Sequence, residues 1–212
     1  LWDALKGLDG IKHVEVFSTK PGIIKTDSAF QGIVLKGVGA DYDWTFFKQN
    51  LIEGSVINPK DTVNVNQAIL SKNIANKLNL KVGDGFLCYF VGEQVRLRKF
   101  YISGIYQTNF EDYDKLFVVT NIELIRRLNN WDEDEVSGIE LLVNDYDNLN
   151  KIQQSVFLEM MPYRDRKDNT MLSRSIRDLN PMIFNWLDLL DMNVIVIIVL
   201  MFAISIFTMI SG

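Results

Sequence analysis

The chain has 212 residues, of which 48% are apolar and 23% are charged. These values are ordinary for globular proteins and exclude collagen-like, fibrous and intrinsically disordered chains. The formal charge of −5 argues against a nucleic-acid-binding protein, which usually presents a basic face. One cysteine and one histidine cannot form an intrachain disulfide or most zinc sites, so we expect no metal and no cofactor. Because the first residue is Leu1 and not Met, we expect a fragment or a processed chain.

The first 65 residues predict short strands with one helix between them. Alternation of apolar and polar residues predicts a strand at 11–18, and the pair Pro21-Gly22 predicts a turn that ends it. A short helix is predicted at 42–50. The remaining strands of this region are predicted at 23–26, 30–38 and 62–65.

A helix is predicted at 67–78. Asn66 is a suitable capping residue for its first turn. Leu70, Ile74 and Leu78 then lie on one stripe of the helix, which predicts the face that is buried.

Residues 86–107 predict a β-hairpin. An apolar strand at 86–91 and a return strand at 94–107 are joined by Gly92-Glu93, which suits a two-residue turn. The apolar residues of the return strand change phase between Leu97 and Phe100. We therefore predict a β-bulge near Arg98-Lys99.

Strands and helices alternate between residues 116 and 161, which is typical of a compact α+β unit. Thr120 and Glu123 form a capping-box pattern that opens a helix at 122–129. Asp147 or Asn148 caps a second helix. The predicted strands are 116–119 and 138–143, the second helix extends to about residue 161, and the polar linker after it is 161–173.

The last 21 residues carry no charge. Between Val194 and Ile210, 15 of 17 residues are apolar, and a bilayer-spanning helix needs about 20. We predict a continuous helix over 182–212 that enters the membrane, with a buried core helix as the alternative. The domain prediction is accordingly an extracytoplasmic domain at 1–180 and a pre-membrane and transmembrane helix at 181–212.

The residues that flank the helix indicate its orientation. No Lys or Arg follows Arg177, whereas cytoplasmic flanks are enriched in both. Residues 1–191 are therefore predicted to lie outside the cytoplasm, and Trp186 is placed to anchor at the level of the lipid headgroups. The residues assigned to this membrane junction are Trp186, Leu187, Asp188, Asp191 and Asn193.

Patterns that signal catalysis are missing from the sequence. There is no P-loop, and segment 37–42 (GVGADY) lacks the third glycine of a dinucleotide fingerprint. His13 lies in an alternating strand and Cys88 in an apolar run, which favours structural roles. The acidic clusters at 111–114 and 132–135 lack EF-hand spacing and are interpreted as solvated loops. We expect no enzymatic activity in this chain alone.

Four stretches resemble a known family. They are LSKNIANKLNLKVGD (70–84), ISGIYQTNFEDYDKLFVV (102–119), VSGIELLVND (136–145) and IFNWLDLLDMNVIVIIVLMFAISIFTMISG (183–212). These stretches are similar to lipoprotein-releasing permeases of the LolC/LolE type, within the FtsX/MacB-like ABC transporter permeases. The resemblance implies an α+β fold: a MacB-like periplasmic core domain with an α+β lobe near the membrane and a β-rich lobe, followed by the second transmembrane helix.

The resemblance also implies a function and partners. Such a permease subunit in the inner membrane couples ATP hydrolysis by a cytoplasmic ABC ATPase to movement outside the membrane. The junction residues would transmit this movement. The implied partners are that ATPase, a second permease subunit that is identical or homologous, a lipoprotein cargo and a periplasmic carrier. MacB-like efflux and FtsX-like regulation of cell-wall hydrolases remain open within the family. Outside it, the alternative is the sensor domain of a membrane receptor.

The hairpin departs from the Lol pattern. In one Lol permease type a proline-containing hairpin docks the carrier, whereas the matching hairpin here, 86–101, has no proline. This difference argues against carrier docking by this chain. It favours the other Lol permease type, which pairs with the docking type, or a system with a single kind of permease. The residues predicted to contact a partner at the hairpin tip are Phe90, Val91, Gly92 and Glu93.

Overall fold

The computed structural model describes residues 1–26, 29–60, 65–90, 95–165 and 168–211. The chain divides into two compact units. The terminal unit comprises Leu1–Lys12 and Val143–Gly212, and the central unit comprises His13–Leu142.

Strands and helices are mixed along the chain, which confirms the predicted α+β class. Within the described residues the strands are β1 (Ile11–Lys25), β2 (Phe30–Val38), β3 (Leu51–Gly54), β4 (Gln67–Ser71), β5 (Gly85–Phe90), β6 (Arg96–Tyr106), β7 (Phe117–Asn121) and β8 (Gly138–Val143). The helices of the same residues are α1 (Trp2–Lys6), α2 (Thr45–Gln49), α3 (Lys72–Leu78), α4 (Glu111–Asp114), α5 (Ile122–Asn129), α6 (Leu149–Met160), α7 (Ile176–Leu179) and α8 (Pro181–Ser211).

Six of the described strands pair in a closed order, β1–β2–β7–β4–β6–β5–β1. The ring closes because residues 23–25 of β1 pair with β2 on one side and with β5 on the other. The β2–β7 and β4–β6 pairs are parallel, and the other pairs of the ring are antiparallel. Outside the ring, β8 pairs with β1 and β3 pairs with β6.

The predicted turn at Pro21-Gly22 is wrong, because β1 continues through both residues. Pro21 lies opposite Val34 in the ladder with β2. A Cβ on Gly22 would lie 2.7 Å from Sγ of Cys88, so this glycine permits the close approach of β5. The strands predicted at 11–18 and 23–26 are therefore one strand.

The helix predicted at 67–78 is wrong in its first half. Residues 67–71 form β4, and the helix begins only at Lys72. Ser71, rather than Asn66, caps it: the Ser71 Oγ accepts a hydrogen bond from the Ile74 N–H at 3.2 Å. A short apolar run buried on both faces has no strand period, which is why its pattern was read as helical.

Helix α5 has the predicted bounds, but its cap differs. Thr120 remains in β7, where its Oγ1 donates to the Gln67 carbonyl at 2.8 Å. Asn121 is the cap instead, since its Oδ1 accepts from the Glu123 N–H at 2.9 Å. The strand predicted at 62–65 lies mostly outside the described residues.

The bulge predicted near residues 98–99 is also wrong. The β5–β6 register is regular from Phe86 opposite Phe100 to Phe90 opposite Arg96. Leu97 is exposed on the outer face, so no change of phase is needed to bury Phe100. The irregularity of β6 lies between Ile102 and Gly104, in its pairing with β4.

The two faces of the sheet bury different cores. Helices α3 and α5 cover one face, where their Ile74, Leu78, Ile125 and Leu128 pack in the larger core. Ile69 and Val119 point to the opposite face, because side chains alternate along a strand. There they pack with Phe47 of α2 in a smaller core.

Ser18 of β1 is fully buried, and its Oγ has no hydrogen-bond partner among the described residues. We expect Ser18→Ala to raise the free energy of unfolding by about 1 kcal/mol, because a desolvated, unpaired hydroxyl is removed. Denaturant unfolding of the chain in detergent measures this change. Ser175→Ala is the matched control: it removes a buried hydroxyl that caps α7 and should cost about 1 kcal/mol. Destabilisation of similar size by both substitutions would contradict the prediction.

In the terminal unit, α6 buries Ile152 and Val156. The continuous helix predicted for 182–212 is confirmed over Pro181–Ser211, and Gly212 lies outside the described residues. Helix α8 is long and apolar enough to cross a membrane, and none of its most apolar stretch is buried. The Ser205 Oγ donates to the Met201 carbonyl at 2.8 Å, so this hydroxyl is satisfied within the helix.

Candidate coupling junction

The candidate site is the junction of α6, α7 and α8 within the terminal unit. A capping box opens α7: the Ser175 N–H donates to Asp178 Oδ2 at 2.8 Å, and the Asp178 N–H donates to Ser175 Oγ at 3.3 Å. Two of the backbone N–H groups at the start of this short helix are thereby satisfied. The Ser-x-x-Asp spacing of this box is readable in the sequence, although the box is not among the predicted elements.

A side-chain hydrogen bond to the same aspartate joins helix α6 to α7. Gln153 Nε2 donates to Asp178 Oδ2 at 2.7 Å. The N–H of Ser175 and the amide of Gln153 both stabilise the carboxylate, and they lower the pKa of Asp178 below its ordinary 3.8. Because the folded-state pKa is depressed, this contribution to stability is present above pH 4 or so and is lost as the pH falls further.

Arg177 connects α7 to the first turns of α8. Its Nη1 lies 3.5 Å from Asp188 Oδ1, and its guanidinium lies 5.2 Å from the centre of the Phe184 ring. Both partners of the ion pair are about half exposed, so the pair contributes at most about 1 kcal/mol. In the sequence Arg177 stands out only as the last cation before the helix, because no local pattern reveals a partner 11 positions away.

The start of α8 continues directly from α7. Pro181 occupies the first position of the helix, where its missing N–H is not needed. The Phe184 N–H donates to the Asn180 carbonyl at 3.3 Å, which closes the first turn. The connection between the two helices is therefore a single residue, Asn180.

The predicted junction residues all lie on α8. Among the five, the structure brings Asp188 into the cluster through Arg177. Trp186 is 60% exposed, and Leu187, Asp191 and Asn193 are also exposed. Their assignment to the membrane junction and to coupling stays a prediction.

The predicted partner-contact tip of the hairpin is only partly described. Phe90 is 1% exposed and lies in the larger core, with its ring 6.4 Å from that of Phe100. Its side chain therefore faces the core rather than a partner. Val91, Gly92 and Glu93 lie outside the described residues, and contact through them stays a prediction.

A second polar cluster lies in the central unit. Lys36 Nζ bonds both carboxylate oxygens of Glu140, at 2.7 and 2.6 Å, and lies 5.7 Å from the centre of the Tyr42 ring. Nearby, Glu15 is buried and accepts from the Asp43 N–H at 3.0 Å, and this burial raises the pKa of Glu15. These contacts fix the loop after β2 against the sheet. In the part of the chain that the structure describes, no group of three or more His, Cys, Asp or Glu could hold a metal.

Comparison with known proteins identifies the family. The sequence profile of the MacB-like periplasmic core domain matches residues 1–156, more than half of the chain. The chain belongs to this family. No curated protein matches the sequence at a significant level.

Solved structures of the family share the fold. The periplasmic region of MacB from Actinobacillus actinomycetemcomitans is 17% identical, with a TM-score of 0.53 over 85% of this chain and 81% of that one. The extracellular domain of the noncanonic ABC-type transporter YknZ from Gram-positive bacteria is 17% identical, with a TM-score of 0.50 over 71% of this chain and 75% of that one.

The MacB-like domain is thus the periplasmic part of an ABC-transporter permease of the MacB and FtsX type. This membership confirms the predicted extracytoplasmic location and favours a permease over the sensor domain of a receptor. Permeases of this type work with cytoplasmic ATPase subunits.

Proposed function

We propose that this MacB-like domain and α8 transmit motion from a cytoplasmic ATPase to the periplasmic side of the inner membrane, and that the cargo released there is a lipoprotein. The observation that carries the proposal is the unbroken helix α8, joined to α7 by one residue and held by Arg177. A continuous helix is a stiff connection, because a sharp bend would break the backbone hydrogen bonds of the turn where it occurs.

The length of α8 supports this role. Its 31 residues extend about 46 Å at 1.5 Å per residue, whereas the hydrocarbon core of a bilayer is about 30 Å thick. Roughly the first third of the helix would therefore stand above the membrane. That third contains Phe184 and Asp188, the two residues that contact Arg177.

The lipoprotein cargo is supported by the resemblance of the four stretches to LolC/LolE-type permeases. Under the proposal a second permease subunit completes the pathway, and a carrier accepts the cargo at that subunit or at this chain. ATP is hydrolysed by the separate ATPase, and this chain supplies no catalytic group. MacB-like efflux and FtsX-like hydrolase regulation are the competing functions within the family.

The test is a charge exchange across the α7–α8 contact. We expect Arg177→Asp and Asp188→Arg each to lower ATP-driven release of a lipoprotein up to about fivefold, because each loses at most about 1 kcal/mol of attraction and adds like-charge repulsion. The double exchange, Arg177→Asp with Asp188→Arg, restores opposite charges and should recover much of the release. Release and ATP turnover are measured in proteoliposomes that contain the full transporter.

The controls separate coupling from cargo. Asp134→Arg makes the same charge change at an exposed aspartate of the 132–135 loop, outside the junction, and should leave release near wild type. The 212-residue chain alone should hydrolyse no ATP. Normal release by both single exchanges would contradict the coupling role. If other substrates stimulate the ATPase of the wild-type transporter but no lipoprotein is released, the lipoprotein assignment is contradicted and the coupling role is not.

A further inference from the structure

Four neighbouring strands of the central unit present a bare outer surface. In the register of β2, β1, β5 and β6, Phe30 lies opposite Lys25, Lys25 opposite Leu87, and Leu87 opposite Lys99. Two positions along each strand, the next row on the same face consists of Gly32, Ile23, Tyr89 and Leu97. With strands about 4.8 Å apart, each row is about 14 Å wide. We call this surface the basic outer face.

The basic outer face is largely apolar, and no described residue of the central unit covers it. The smaller core around Phe47 covers the same side of the sheet over β4 and β7, but it does not include these rows. Phe30 is 71% exposed and Tyr101, beyond Lys99 on β6, is 48% exposed. Ile23, Leu87 and Leu97 are also exposed. Large apolar side chains grouped in this way mark interaction surfaces more often than scattered ones do.

The charge of these strands is opposite to that of the chain. Their described residues from 17 onward contain six cations and no Asp or Glu: Lys20, Lys25, Lys36, Arg96, Arg98 and Lys99. Three of them, Lys20, Arg96 and Arg98, lie opposite buried residues of the larger core and so belong to the inner face. On the outer face Lys36 is paired with Glu140. The whole chain has a formal charge of −5. Arg96 is occupied by the carbonyls of Arg127 and Leu128, whereas Lys25 and Lys99 are exposed on the outer rows.

One position within the apolar rows, Gly32, carries no side chain. A Cβ built on Gly32 meets no atom within 4 Å, so the space above this residue is open. Its cross-strand neighbour is Ile23, and Phe30 lies two residues before it on the same face. An apolar or aromatic side chain can enter this space against both neighbours, as anchor residues do at interface centres.

We propose that the basic outer face binds a protein surface that presents acidic side chains around an apolar or aromatic anchor. Lys25 and Lys99 pair with the acidic groups, and the anchor packs over Gly32 between Ile23 and Phe30. Symmetric pairing with a second copy is disfavoured, because it would bring these lysines together, and like charges across an interface are repulsive. The proposal is independent of the cargo and of the α7–α8 junction.

The test uses the full 212-residue chain in a zwitterionic detergent. The probe is a fluorescein-labelled random copolymer of glutamate and tyrosine, with polyglutamate and a lysine–tyrosine copolymer as comparison probes. We expect the glutamate–tyrosine copolymer to bind most tightly by fluorescence anisotropy. Replacing both lysines, in Lys25→Glu with Lys99→Glu, should weaken its binding about tenfold or more. Leu87→Ser with Tyr101→Ser should weaken it as well, with the charges intact.

Lys48→Glu with Lys151→Glu is the matched control, because it makes the same charge change at two exposed lysines elsewhere. It should leave the affinity within about twofold of wild type. Equal weakening by the control, or equal affinity for polyglutamate, would overturn the proposal. Phosphatidylglycerol micelles that displace the copolymer through Lys25 and Lys99 would identify a membrane surface and overturn it too. Thermal unfolding checks that the double variant Lys25→Glu with Lys99→Glu is folded. If it is not folded, the double variant Lys25→Gln with Lys99→Gln takes its place.

Discussion

Phe100→Ala is expected to lower the free energy of unfolding by about 3–5 kcal/mol, the usual cost of deleting a buried phenylalanine ring. Phe100 is fully buried in the larger core. Its ring stacks on Phe86 at 5.3 Å and lies 6.4 Å from Phe90. Truncation therefore removes two aromatic contacts and leaves a cavity that β5 and β6 cannot close without breaking their regular register.

The loss is a large fraction of the stability of a domain, which is typically about 5–15 kcal/mol. Denaturant unfolding in detergent, followed by tryptophan fluorescence, should give a lower midpoint at an unchanged slope. Phe30→Ala is the matched control, since it deletes the same ring from an exposed position and should change stability by about 0.5 kcal/mol or less. Similar losses at both positions would show that Phe100 does not act through the core described here.

Elements with strong local signals were predicted well. The uncharged run predicted α8, and the helix predicted at 122–129 has the bounds of α5. The strands β2 and β8 also have their predicted bounds, because turn residues or polar segments limit each of them. In these cases the residues that decide the structure are neighbours in the sequence.

The predictions were wrong where contacts between residues far apart in the sequence determine the local structure. Gly22 reads as a turn residue, but its conformation is set by Cys88 of β5, which leaves no room for a side chain. Thr120 has the right spacing to Glu123 for a cap, yet its hydroxyl is used by the Gln67 carbonyl across the β4–β7 pair. Tertiary hydrogen bonds and packing therefore override local chemistry at both positions.

The contacts of the candidate junction could not be predicted from the sequence. Asp188 was assigned from its position before the apolar run, whereas Arg177, which binds it, was not. The contact depends on the single-residue connection between α7 and α8, which sets the direction of the second helix. Sequence spacing alone does not give that direction, although the Ser175 capping box would have located α7.

Ile198→Arg is expected to impair membrane insertion of α8. Ile198 lies within the uncharged run, near the depth where the helix would cross the middle of the bilayer. An arginine there costs on the order of 3 kcal/mol by insertion scales, and the helix supplies no acidic partner in that run. Resistance of the full-length permease to alkaline extraction from membranes measures insertion. Ile198→Leu should insert like wild type.

A second control tests whether depth, rather than charge alone, decides the outcome. Ile183→Arg places the same cation in the first turn of α8, where the long side chain reaches water above the membrane, so we expect nearly normal insertion. Equal loss at both positions would mean that arginine disturbs the helix wherever it is placed. Full insertion of Ile198→Arg would contradict the depth assigned to α8. It would then also contradict the proposal that the first third of α8, which Arg177 contacts, lies above the membrane.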